Sequence, residues 1–338
     1  MSENALVTFH SSLITMNSPE PLPDLDSTPP GFKSGFVAIV GKPSAGKSTL
    51  LNAFLGQKIS IVTHKPQTTR RRILGILTQP NAQVIFIDTP GMHQPEHKLG
   101  EYMLEEIHSA IADADAIVFL CDISGMPNAD DRRIAQALRS LPEPRRVILA
   151  INKMDHIVPP LELKGRIEAY WSLAPTPEGA EPPAPWEWIM LSATRGDNRA
   201  KLLEKIIAAL PEGPLYYPAD QVTDKQEREI AAELIREQVL LHVKQEIPHG
   251  VAVAIEQYNE RSNGAVHIGA TIYVEKDTHK AIVIGSGGSM LKQIGADARH
   301  EIQRLIDTKV FLELWVKVRK NWRSDEREVR RLGYTSEE

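Results

Sequence analysis

Gly41-Lys42-Pro43-Ser44-Ala45-Gly46-Lys47-Ser48 fits the pattern G-x-x-x-x-G-K-[ST], a loop whose backbone wraps phosphate groups. Its flanks fit too. The apolar run Phe36 to Val40 reads as a buried strand, and Thr49 to Leu55 reads as a helix closed by Gly56. Glycine is needed where the backbone turns sharply and approaches the phosphates. The amides of the loop and of the helix N-terminus, Thr49 included, then point at anionic oxygens. In this reading Lys47 reaches the β- and γ-phosphates and Ser48 ligates Mg2+. An ordinary glycine-rich turn is the competing reading, and the strand before and helix after count against it.

Three more motifs follow in order. Val84 to Ile87 reads as a strand ending in Asp88-Thr89-Pro90-Gly91. An Asp there holds Mg2+ beside the phosphates, usually through water, and the Gly91 amide is placed to sense a γ-phosphate. Asn152-Lys153-Met154-Asp155 follows the apolar run Val147 to Ile151. Guanine offers two adjacent donors, N1–H and N2–H, which a carboxylate accepts as a pair; adenine lacks them. Asp155 therefore selects GTP over ATP, while Lys153 lays its aliphatic stem along the base. Ser192-Ala193, after the strand ending at Leu191, brings a backbone N–H toward guanine O6. All these motifs lie beyond strand C-termini, where open α/β sheets bind ligands.

Lys65-Pro66-Gln67-Thr68-Thr69-Arg70-Arg71-Arg72 sits between the first two motifs. Thr69, in preference to Thr68, completes the Mg2+ shell when a γ-phosphate is present; the loop then orders with GTP and relaxes after hydrolysis. A basic surface loop is the alternative. Many GTPases orient the attacking water with a glutamine after this glycine, but Met92 stands there. His93, Gln94, His97 and Glu101 are nearby polar candidates, and no catalytic residue is assigned. Intrinsic hydrolysis is expected to be slow and stimulated by a partner.

A chain of 338 residues suggests two domains. Residues 1–33, with Pro21, Pro23, Pro29 and Pro30, read as a disordered extension. Strands are expected at 36–40, 72–78, 84–88, 116–122, 147–152 and 186–191, and helices at 47–55, 98–112, 130–140, 161–173 and 199–210. This alternation predicts an α/β domain over 34–214, a mostly parallel six-stranded sheet with helices on both faces. The short turn at 79–82 makes the second and third strands antiparallel. Five prolines within 174–185 read as a surface insertion, and 215–223 as a linker. An α+β domain over 224–323 follows. It comprises a helix at 224–246, strands at 251–257 and 266–274 joined by a turn at 261–264, an apolar run at 281–284, helices at 288–294 and 296–307, and a strand at 310–318. Residues 324–338 form a tail.

The net charge of −5 excludes a uniform basic coat, yet 276–331 holds 13 Lys and Arg against 8 Asp and Glu. That asymmetry suggests an anionic partner at one end, or only a solvated face. Gly285-Ser286-Gly287-Gly288, between a strand and a helix in this basic region, fits the GXXG loop that clamps the backbone of single-stranded RNA. Lys292, Arg299, Arg304 and Lys309 lie near it in sequence, with Lys317, Arg319, Lys320 and Arg323 beyond. Trp322 either stacks on a base or is buried under the C-terminal helix. The lone Cys121 cannot form an internal disulfide and fits a reducing compartment. No apolar stretch approaches the ~20 residues that span a bilayer, and no export pattern opens the chain.

With these motifs the chain resembles the Era family of bacterial GTPases, which join a Ras-like GTPase domain to a C-terminal type II KH domain. The resemblance runs from about Gly35 to Tyr334 and rests on Pro66 to Arg70, Asp88 to Gly91, Leu99-Gly100, Asn152 to Asp155, Gly287-Gly288-x-x-Leu291-Lys292-x-Ile294-Gly295 and Leu312 to Val318. It implies a monomer that binds Mg2+ with GTP or GDP. Its RNA target would be small-subunit (16S) ribosomal RNA near the 3′ end, during assembly of the small ribosomal subunit. It further implies a cytoplasmic protein with peripheral association at the inner membrane. An apolar residue in place of the catalytic glutamine is a family trait, matching Met92. Ser44-Ala45 depart from the usual Asn-Val, and the asparagine helps hold potassium in related GTPases; Ser286 replaces the usual lysine of the glycine loop. Two other readings are a GTPase of RNA modification or membrane transport, which needs segments absent from this sequence, and an RNA-binding scaffold with a vestigial nucleotide site.

Overall fold

The computed structural model describes residues 6–8, 28–65, 67–92, 95–141, 145–156, 159–175, 186–244, 247–262 and 264–335. In the first half the strands are β1 (Leu6–Thr8), β2 (Lys33–Val40), β3 (Ile73–Gln79), β4 (Ala82–Asp88), β5 (Ala116–Asp122), β6 (Arg146–Asn152), β7 (Glu187–Met190) and β8 (Gln221–Gln226). The helices between them are α1 (Lys47–Leu55), α2 (Lys98–Asp113), α3 (Ala129–Arg139), α4 (Pro160–Trp171) and α5 (Arg199–Ala209). The strands form one sheet in the order β1-β8-β3-β4-β2-β5-β6-β7. Pairing from β4 through β2, β5 and β6 to β7 is parallel, while β3 runs antiparallel to β4.

Alternate residues of one strand serve both faces. Val37 and Ile39 pack with Leu50, Leu51 and Leu202 on one side, whereas Ala38 and Val40 pack with Ile107, Ile111 and Ile134 on the other. A strand covered on both faces reads as an unbroken apolar run, which is why the helix-strand alternation was visible in the sequence.

The sheet has eight strands, not the expected six. Residues 221–226, where the sequence suggests a linker running into a helix, are extended and pair antiparallel with β3 at Gly75–Thr223. Leu6–Thr8 adds to them as an edge, inside the segment read as disordered. The remainder of that extension up to residue 27, and 176–185 of the proline-rich insertion, lie outside the described residues.

The second half runs α6 (Glu227–His242), β9 (Ala252–Glu260), β10 (Val266–Val274), α7 (Asp277–Ile284), α8 (Ser289–Ile306), β11 (Val310–Val318) and α9 (Glu326–Arg331). Helix α6 begins at 227 because Gln226 and Glu229 close a capping box there. Its strands stack as β11-β10-β9, with β10 parallel to β11 and antiparallel to β9. Leu234 and Ile235 of α6 and Ile294, Ala298 and Ile302 of α8 bury the inner face of this sheet over Ile268, Ala270 and Ile272.

Three local readings change. Residues 281–284 form the last turn of α7, so the glycine loop joins two helices instead of a strand and a helix. Helix α8 continues through Gly295, which sits against Leu314, where two helices were expected. The tail folds back: Val329 and Tyr334 pack with Leu99, Tyr102 and Met103 of α2.

Trp322 lies inside that cluster with 0% exposure. Its Nε1–H donates to Gly250 O at 2.9 Å, and its ring stacks on Tyr334. It is therefore a core residue and has no face free for a base. Trp322→Phe should cost about 1–3 kcal/mol in urea unfolding, because the Gly250 carbonyl loses its donor in a buried place. RNA affinity of the folded variant should be unchanged, and a marked loss there would restore a stacking role.

Candidate nucleotide site and RNA-binding loop

The phosphate loop leaves β2 at Gly41 and enters α1 at Lys47. Gly46 holds φ +102°, and a Cβ there would lie 2.5 Å from Asn152 Nδ2. A Cβ on Gly91 would lie 2.7 Å from Pro43 Cα, so the loop at 88–92 presses directly on the phosphate loop. Lys47 Nζ donates to Gly41 O at 3.0 Å and Lys42 O at 3.2 Å, arching over the hollow it is expected to fill with phosphate. Burial pushes its pKa from 10.5 to about 8, against the pull of Asp88. Phosphate oxygens would supply the negative charge this lysine lacks. Lys42 turns away and pairs with Asp131 at 2.9 Å, a residue of the capping box that starts α3. Ser44 adopts φ +62°, a left-handed conformation that asparagine adopts more readily than serine.

The three residues expected around Mg2+ come together. Ser48 Oγ donates to Asp88 Oδ2 at 2.7 Å and lies 2.9 Å from Thr69 Oγ1. Ser60, which no motif marks, donates to the same Asp88 oxygen at 2.8 Å. Burial raises the Asp88 pKa, while Lys47 and the two serines oppose the rise. Asp88 Oδ1 is buried without a hydrogen-bond partner. A carboxylate oxygen left spare beside hydroxyls is a hard-oxygen set, and it fits Mg2+. Thr68 instead meets Thr63 Oγ1 at 2.7 Å.

Met92 is buried against Ile87 and Ile107, so its side chain points into the core. His93 and Gln94 lie outside the described residues. His97 precedes α2, and Glu101 is exposed and paired with Lys98 at 2.6 Å.

At the base-recognition end, Asn152 ties three segments. Its Nδ2 donates to Ala45 O at 2.8 Å, and its Oδ1 accepts from the Ala193 amide at 2.9 Å. The Ala193 N–H expected to face guanine O6 is thus engaged within the protein, and would have to be shared with the base. Lys153, at φ +66°, sends Nζ to Asp122 Oδ2 at 2.7 Å, which stretches its stem across the site. Burial disfavours the Asp122 charge, but the Lys153 and Ser124 bonds outweigh it and hold the carboxyl below its usual range. Asp155 bonds Ser192, which lowers its pKa and leaves it an acceptor at neutral pH.

In the second half, Gly285 has φ +74°, and a Cβ there would meet Met290 Cβ at 2.6 Å. Gly287 and Gly288 also have positive φ, with open space around them. Ser286 and Gly287 are exposed at the N-terminus of the 18-residue α8, whose unpaired amides favour an anion. Lys292 and Arg299 are exposed on the same helix. Lys317 is not on that face. Strand alternation turns it outward with Phe311 and Trp315, opposite the residues that meet α8, and Lys320 is exposed in the turn beyond.

The two halves meet at the loop that carries Thr69. Arg70 is 2% exposed and donates to Val251 O (2.6 Å), His249 O (2.8 Å), Pro248 O (3.4 Å) and Tyr334 Oη (3.4 Å), with Trp322 at 5.7 Å. Arg236 of α6, fully buried, donates to Thr68 O. Glu237 accepts from the Val62 amide at 2.9 Å and from Lys58 at 2.6 Å. In the sequence Arg70 stands in a basic run and in the Pro66–Arg70 stretch of the resemblance, with no role assigned to it. Its role depends on residues about 180 positions downstream and left no local signal.

Comparison with known proteins agrees with both halves. The family model "50S ribosome-binding GTPase" matches residues 36–153, and the model "KH domain" matches 246–323. GTPase Era of Ruminiclostridium cellulolyticum is 45% identical over 303 residues, 90% of this chain and 98% of that protein. GTPase Era of Geobacter metallireducens is 47% identical over 309 residues, with 90% and 98% covered. Two crystal structures superimpose with TM-scores of 0.83, each over 90% of this chain and 100% of the other. One is a variant of Aquifex aeolicus Era bound to GDP and aluminium fluoride, at 37% identity. The other is Era in complex with MgGDPNP and nucleotides 1506–1542 of 16S ribosomal RNA, at 38% identity. On the motifs, the fold and this full-length similarity, the chain belongs to the GTPase Era family.

Proposed function

We propose that this protein hydrolyses GTP and uses its nucleotide state to control binding to 16S ribosomal RNA near the 3′ end, during assembly of the small ribosomal subunit. The observation that carries the reading is one pair of neighbours. Thr69 meets Ser48, which in turn bonds Asp88, at the Mg2+ position, and Arg70 is bound into the KH half. The two are consecutive residues, so a backbone shift at Thr69 bears directly on Arg70. The relative solved with MgGDPNP and 16S rRNA nucleotides held both ligands together, and this chain has the residues to do the same.

Ser48, Thr69 and Asp88 would hold Mg2+, which when bound would neutralise charge that develops on the phosphates. The chain's part is positioning. Lys47 and the amides of 41–49 hold phosphates, while Asp155, Lys153 and Asn152 fix the guanine. Gly91 lies against the phosphate loop where a γ-phosphate would reach it. Met92 leaves no polar side chain at the position used to orient water, so intrinsic turnover is slow and a partner accelerates it. Gly285, Ser286, Gly287 and Gly288 take the RNA backbone, with Lys292 and Arg299 adding phosphate contacts. The protein acts as a monomer in the cytoplasm. Any contact with the inner membrane is peripheral: among the described residues no helix is long and apolar enough to cross a membrane.

Three outcomes test this. RNA affinity should differ between the GDP-bound and GTP-analogue-bound protein by about 5–150-fold, the usual range of coupling between sites. Equal affinities in a filter-binding assay would remove the switch. Asp155→Asn replaces an acceptor pair by one acceptor and one donor, so it should weaken GTP by about tenfold or more and favour xanthosine triphosphate, whose O2 accepts. Unchanged guanine preference would move base recognition elsewhere. Ser286→Lys should steepen the salt dependence of RNA binding by about 0.7 in log–log slope, one added phosphate contact on a single strand. An unchanged slope would place the loop away from RNA phosphates.

A further inference from the structure

Beside the Thr69–Arg70 loop, the two halves line a partly open cavity of about 160 Å3. Its walls include Ile59, Ile61 and Ile73 from the first half and Val253 and Ile255 from the second. Arg70, Arg71, Lys225 and Arg228 also line it, against the carboxylates of Glu229 and Glu233. Four cations face two carboxylates, so the lining carries two excess positive charges.

Both carboxylates already have work. Glu233 takes two bonds from Arg236, at 3.0 and 2.5 Å, and Glu229 accepts from the Gln226 amide at 3.1 Å. The spare groups are donors. Arg70 Nε and Arg71 Nε are each buried with no acceptor in the protein, although the other nitrogens of Arg70 are fully used. Arg70 as a whole is 2% exposed. A buried N–H without a partner calls for an explanation, and two on consecutive residues lining one cavity call for the same one.

We propose that this cavity binds a tetrahedral oxyanion of charge −2, hydrogen phosphate or a small phosphomonoester, held by the Nε–H groups of Arg70 and Arg71 with Lys225 and Arg228 supplying charge. A dianion cancels the excess charge of the lining. Guanidinium N–H groups match oxyanion oxygens in geometry and form stronger bonds to them than to neutral acceptors. The volume equals that of about five liquid waters, enough for such an anion with water beside it. The apolar residues of the walls lower the local dielectric and strengthen the contacts, while Arg228 marks a side open to solvent. Because Arg70, Arg71 and Lys225 come from the first half and Arg228 from α6 of the second, the anion bridges the seam and stabilises it. Nothing in this site depends on RNA.

The test uses the full chain saturated with GDP, which fills the diphosphate part of the nucleotide site. Potassium phosphate, compared with potassium chloride at equal ionic strength, should raise the thermal unfolding midpoint in a saturable way. Lys225→Gln combined with Arg228→Gln should weaken that response by about tenfold or more. Should the double variant fail to fold, Arg228→Gln alone, at an exposed side chain, carries the same comparison. A crystal soaked in selenate, an analogue with strong anomalous scattering, should show its peak between Arg70 and Arg71. A peak only beside Lys47, or a midpoint that follows ionic strength alone, overturns the proposal. So does a peak in the cavity without any response in solution, which would mark an adventitious ion only.

Discussion

Arg70 is a buried cation held by carbonyls. Three of its acceptors are backbone oxygens at 248, 249 and 251, and the fourth is a tyrosine hydroxyl. Burial lowers its pKa, opposed by Tyr334, though an arginine remains charged at any physiological pH. A charge that cannot be given up must stay solvated by protein. The turn before β9, the C-terminal segment and the Thr69 loop are therefore bound to one another as long as Arg70 is inside. Removing the side chain would leave several carbonyls without donors, and moving it would expose the aromatic cluster of Tyr102, Trp322 and Tyr334. Arg236 and Glu237 repeat the arrangement from the opposite side, with side chains of α6 reaching the backbone at Thr68 and Val62.

That constraint gives the nucleotide site its reach. Around Asp88, the hydroxyls of Ser48, Ser60 and Thr69 arrive from three different segments. Two of those segments belong to the stretch 58–72, which is also where the second half takes hold. A ligand can shift an equilibrium only by binding its two states differently. Here the difference has an address: Thr69 is either drawn to the metal and γ-phosphate or is not, and Arg70 is the next residue. The RNA loop lies at the far end of α8, whose other contacts include Lys58 through Glu301 at 3.0 Å.

Much of this was legible early. Gly41 to Ser48, Asp88 to Gly91 and Asn152 to Asp155 are short motifs at the ends of β2, β4 and β6, and each needs only its own few residues to be recognised. The doubly buried strands announced themselves as apolar runs. Edges did not. Residues 221–226 read as Gln-Val-Thr-Asp-Lys-Gln, with little apolar content, and become a strand because β3 offers unpaired backbone groups to them. The run at 281–284 is apolar enough for a strand but lies within one helix of a helix pair, an ambiguity that short runs carry by nature. Trp322 could be read either way from sequence, since an aromatic among basic residues suits both a base and a core.

The sequence by itself determined the chemistry of each half, which rests on residues close together in the chain: a phosphate loop, a carboxylate that selects guanine, and a glycine loop at a helix N-terminus. Tertiary structure decided how the halves act on one another. Arg70 meets Val251 and Tyr334 across 181 and 264 positions of chain, and Trp322 meets Gly250 across 72. Such pairings have no spacing rule, because they depend on where two separately folded surfaces come to rest. The physical reason is burial. Whether an arginine is a solvated surface charge or the peg of an interface depends on what excludes water from it, and only the folded chain supplies that.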